Sequence, residues 1–94
     1  MVSPKSAASI PIWPSGVARV AGGTLEITGD HGVRVPTECI MGLAVLPPRS
    51  VRLPVTLRYR AGSRKRETTY WIELQHETAL RELIAVIEAA RRDA

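Results

Sequence analysis

Residues 76–92, "HETALRELIAVIEAARR", set Leu80, Leu83, Ile84 and Ile87 at the i, i+3, i+4, i+7 spacing of one helical face. Glu77 near the start and Arg91 and Arg92 at the end suit the helix dipole, and Glu88 to Arg92 is an oriented i, i+4 pair. A single amphipathic helix cannot leave such a stripe in water. It needs an apolar sheet face to lie on, and the preceding residues are patterned to supply one.

From residue 17, "GVARVAGGTLEITGDHGVRVP" is punctuated by Gly22-Gly23 and by Gly29-Asp30-His31-Gly32, residues that tolerate the positive φ of tight turns. Leu25 and Ile27 alternate with Thr24, Glu26 and Thr28, and Val33 and Val35 alternate with Arg34, which predicts two hairpins in succession with one buried face. Pro36 interrupts the third strand. "TECIMGLAVLP" then resumes with apolar residues on both parities, as in a central strand or one bent around a core, with Gly42 allowing the bend.

"YRAGSRKRETTYW", residues 59–71, places Arg60, Arg64, Lys65 and Arg66 within seven positions and runs into a threonine-aromatic strand. A four-residue loop, Gly62 to Lys65, pairs Arg60 with Glu67, Leu57 with Tyr70, Val55 with Ile72 and Leu53 with Leu74. Every apolar residue then shares a face, and the opposite charges across the strands add about 0.2–1 kcal/mol. A tighter loop on Gly62-Ser63 suits a type II′ turn better but sets Arg60 against Lys65. The four-residue loop is the preferred register.

At 94 residues the chain is one domain at most, with room for a single modest core. That core is aliphatic, because only two Trp and two Tyr, and no Phe, are present. Few rings are therefore on offer for stacking bases. The net charge of +4 and a pI near 10 permit anionic partners, nucleic acid or anionic lipid among them. One cysteine, Cys39, excludes an intrachain disulfide and fits a reducing cytoplasm, the expected location. No run approaches the roughly 20 apolar residues of a membrane span. Residues 1–16, rich in Ser and Pro, read as a flexible arm in which Ile10, Ile12 and Trp13 form a cluster suited to docking, and residues 17–94 as a single domain.

Catalysis finds no footing, since a nucleophile needs a base beside it and the candidates are one Cys, two His and scattered hydroxyls. Cys39 in an apolar strand is a small buried hydrophobe. His31 in a turn and His76 at the helix start each have a structural use, and no HxxxH, HExxH or CxxC spacing supports a metal. "AGGT" and "TGDHG" lack the following helix and lysine of a phosphate-cradling loop. No cofactor is expected. What remains is Arg58, Arg60, Arg64, Lys65 and Arg66, a positive knob able to grip phosphates or, more simply, to protect a sheet edge. Trp71, outward beside Thr69 and Glu73, and Trp13 are candidates for protein contact.

"GTLEITGD", "VRVPTECIMGL" and "TYWIEL" before a terminal helix resemble the pleckstrin-homology-like (PH-like) superfold, particularly bacterial PH-like and GRAM-type domains, over about residues 17–92. The resemblance implies an α+β fold, an antiparallel meander or partial barrel of about five strands with one C-terminal helix plugging its end. The family barrel has seven strands. A shortened one leaves edges, which implies self-association as a homo-oligomer or strand addition by a protein partner. The basic lipid-reading pattern of phosphoinositide-binding members is missing, because "VAGGTL" is uncharged. Protein binding is the family habit left, with an anion-binding module as the alternative.

Overall fold

Gly22 and Gly23 both have positive φ, 59° and 75°, the two left-handed positions of a type I′ turn. They join β2 (Val17–Ala21) to β3 (Thr24–Ile27) in the computed structural model, which describes residues 9–29 and 32–93. With β1 (Ser9–Pro11) and β4 (Val33–Pro36) these strands form a four-stranded antiparallel sheet in chain order. The period-two pattern holds: Leu25 and Ile27 are buried and face Val35 and Ala18 among their inward neighbours. On the opposite face Glu26 stands in register between Arg19 and Arg34 and accepts from both, at 3.1 and 3.0 Å.

Pro36 ends β4, and a 3-10 turn, Thr37–Cys39, carries the chain to a second sheet. There β5 (Ile40–Val45), β6 (Arg52–Ala61) and β7 (Arg64–Glu73) form a three-stranded antiparallel meander. Seven strands are thus found among the described residues, against the expected five or so. One of the additional strands is β1, which forms inside the stretch read as an arm; another arises because the turn at Thr37–Cys39 separates β4 from β5. β5 is an edge strand rather than a central one. Its bend is a register shift between Ile40 and Gly42, and Gly42 has open space where a Cβ would sit and no left-handed φ, so glycine is not required there.

The β6–β7 register differs from the preferred one. Arg60 lies opposite Lys65, Arg58 opposite Glu67 and Leu57 opposite Thr68, so the loop is the tight Gly62-Ser63 turn. A slip of two residues leaves every side chain on the same face, so the apolar pattern cannot distinguish the two registers. Gly62 at φ 65° supplies the first position of a II′ turn, and Arg58 takes up Glu67 at 3.9 Å in place of Arg60.

α1 (Glu77–Asp93) follows a 3-10 turn, Leu74–His76. Leu80, Leu83 and Ile87 are buried and Ile84 packs beside them, as the spacing predicts. Residues of both sheets meet that stripe, Ala18 and Ile27 from the first and Leu43, Leu57 and Ile72 from the second, in one aliphatic core. Each leucine or isoleucine among them contributes about 1.5–3 kcal/mol when fully buried. The i, i+4 pair that closes is Glu77 with Arg81, at 2.9 Å; Glu88 and Arg92 are not within ion-pair distance. The architecture is α+β: two antiparallel sheets and one C-terminal helix.

Candidate interaction surfaces

Pairing across β6 and β7 sorts the five basic residues of the hairpin onto two faces. Arg58, Arg60 and Lys65 share the outer face with Glu67, because directly opposite residues point the same way. Arg64 and Arg66 lie on the other face, with Arg66 opposite Tyr59. Arg64, Lys65 and Arg66 border an open polar recess of about 290 Å³ with Tyr59, Glu67 and Thr68. Arg58 is paired with Glu67, whereas Arg60, Arg64, Lys65 and Arg66 have no carboxylate within 4.0 Å among the described residues. Arg58 and Arg60 do not border that recess, so the five basic residues do not line one common cavity.

Trp13 and Trp71 come together. The Trp13 N–H donates to the Trp71 carbonyl at 2.9 Å, and the two residues bridge as antiparallel neighbours. Trp71 is half-buried beside the N-terminal segment and Trp13 is 43% exposed. Across β6, Pro54 lies opposite Trp71, and the Leu46 N–H donates to the Pro54 carbonyl. A row of apolar side chains, Leu46, Pro54, Trp71 and Trp13, therefore crosses the outer face, which in an antiparallel sheet of this kind is ordinarily polar.

Sequence reasoning missed Arg52. Its guanidinium stacks over the Trp13 ring, 3.8 Å from the centroid. Its Nε is buried without a hydrogen-bond partner. Glu73, opposite it in register, is instead taken by Gln75 at 2.7 Å and lies 3.7 Å from His76. The signal available was parity: Arg52 shares the even-numbered outward positions of Arg58 and Arg60. The stacking partner, 39 positions away in the chain, has no local signature.

β5 pairs with β6 on one side only. Its sequence, IMGLAV, carries no charge and no proline, and Met41 and Ala44 are exposed. Charges, prolines and bulges are the usual protections of a strand edge, and only the irregularity beside Met41 is present here.

Cys39 lies in the 3-10 turn rather than in a strand, half-buried against the core. His76 closes the turn before α1. His31 lies outside the described residues. No group of three or more His, Cys, Asp or Glu that could hold a metal occurs among the described residues. No helix among them is long and apolar enough to cross a membrane. Burial holds the Tyr70 phenol above its ordinary value, with a smaller contribution from Tyr59. Compared with known proteins, the chain matches no family model, no curated protein and no solved structure.

Proposed function

We propose that this chain is a non-catalytic, PH-like interaction module that recruits a protein strand, from a partner or a second copy, to the open edge of β5. The observation that carries the reading is the uncharged edge itself: six residues, Ile40–Val45, paired on one side and free of the Lys, Glu or Pro that blunt such edges. Strand addition there gives affinity through backbone hydrogen bonds. The order of four-strand meander, three-strand meander and terminal helix supports the PH-like reading.

Sedimentation velocity over a range of concentrations, with and without Ala44→Lys, tests the self-associating form. Ala44 is exposed, so lysine there leaves the fold within about 0.5 kcal/mol, and it should weaken association by roughly tenfold or more. A wild-type chain that stays monomeric at high concentration restricts the edge to foreign strands. Self-association indifferent to Ala44→Lys places the contact elsewhere.

The second reading, anion binding, rests on the unpaired Arg60, Arg64, Lys65 and Arg66. Its signature is affinity for a DNA duplex or an anionic vesicle that falls steeply with salt as counterions are released.

A further inference from the structure

Beside Trp71, the outer face of the β5–β6–β7 sheet carries a broad, open cleft of about 510 Å³, bordered by Leu46, Pro47, Pro48, Pro54 and Thr69. Arg49 also lines it. Arg49 and Arg52 exchange backbone hydrogen bonds in both directions, 2.8 and 3.1 Å, around a two-residue turn in which Ser50 has φ 60°. Residues that exchange both bonds across an antiparallel pair project on the same side, so Arg49 shares the face of Arg52. Neither arginine has a carboxylate within 4.0 Å among the described residues.

A guanidinium held 3.8 Å above an indole centroid is fixed by cation–π attraction, and with the Arg52 Nε buried it is the two terminal nitrogens that can grip a carboxylate by two parallel bonds. The Trp13 ring thus holds Arg52 in place without neutralising it. Next to that cation lies a concave apolar wall of prolines, leucine and tryptophan. Such a wall suits an inserted apolar side chain and has few polar groups to serve a phosphate backbone. A second copy of this chain, with net charge +4, is poorly matched to two unneutralised arginines.

We infer that this face is a docking surface for an acidic peptide segment of a partner protein. An apolar side chain of the peptide fills the cleft against Trp71, and a flanking carboxylate is held by Arg52 with support from Arg49. This rests on the reading of the chain as a protein-binding module but uses a surface separate from the β5 edge.

Trp13 and Trp71 are the chain's only two tryptophans, so tryptophan emission, excited at a wavelength the two tyrosines do not absorb, reports this face alone. The full chain is titrated with the peptide Ac-EELPPLEE-amide, with its glutamine counterpart Ac-QQLPPLQQ-amide, and with oligo-dT. The expected result is a saturable change with the acidic peptide, at least about tenfold tighter than with the glutamine peptide, and reduced by a similar factor in Arg52→Gln and in Arg49→Gln. Arg49 is exposed on the loop, so that variant decides the matter if Arg52→Gln fails to fold. No saturable change, equal affinity for both peptides, or tighter binding of oligo-dT overturns the inference. So does a fluorescence change with protein concentration alone, which would mean that a second copy covers the face. Sedimentation of the same samples reads the β5 edge separately, so one surface can fail without the other.

Discussion

Glu26 accepts hydrogen bonds from arginines on two different strands, Arg19 and Arg34, and these bonds hold its carboxyl below the ordinary glutamate range. A carboxyl with a depressed folded-state pKa stabilises the fold above its unfolded value, about 4.3, and that contribution disappears as pH falls toward the depressed value. Urea denaturation of Glu26→Gln should therefore show a constant deficit against wild type above about pH 5 that closes on acidification. A pH-independent deficit would mean that the row acts by packing alone. The alternation of Thr24, Glu26 and Thr28 put Glu26 outward in the sequence, but which arginines it meets depends on how three strands align. Glycine shows the same limit. Gly16, with φ 139°, lies where a Cβ would clash with the Thr28 carbonyl oxygen. Gly16→Ala should cost at least about 2 kcal/mol in the same assay, combining a strained φ with a backbone clash.

At the level of elements, the helix was the most legible feature, because Leu80, Leu83 and Ile87 report their own face without reference to anything distant. The β6–β7 hairpin was legible in its faces and not in its register. Both registers bury Leu53, Val55 and Leu57, so the choice fell to one charge pair of a few tenths of a kcal/mol against the backbone preference of a Gly62-Ser63 turn, and the turn prevailed. The observed pairing sets Arg60 against Lys65, two like charges. Lys65→Glu should consequently stabilise the domain by about 0.2–1 kcal/mol, and the gain should vanish on an Arg60→Ala background. Under the four-residue loop Lys65 would sit in the turn with no partner, and no such coupling would appear.

Across the whole molecule, the least legible feature was the participation of β1. "SIP" offers three residues, one of them proline, too few for periodicity to speak, and Ile10 is fully buried all the same. β1 pairs with β2, and Trp13 just beyond it makes the one backbone hydrogen bond that joins the two sheets among the described residues. The arrangement of the candidate surfaces follows from that join. Trp13 reaches Arg52 and Trp71 because the N-terminal segment crosses from one sheet to the other, and the cleft beside Trp71 shares its face with those side chains. If β1 belongs to the single cooperative core, truncating Ile10 must be felt globally. Ile10→Ala should lower the stability by about 2–5 kcal/mol, the range for a large aliphatic removed from a core that cannot fully collapse, with an unchanged denaturant slope. The Trp fluorescence and the far-UV circular dichroism transitions should move together. A loss below about 1 kcal/mol, or a tryptophan transition that precedes the circular dichroism one, would make β1 an appended strand that opens by itself. The Trp13–Arg52 stack would then form and break with that opening, independently of the core beneath it.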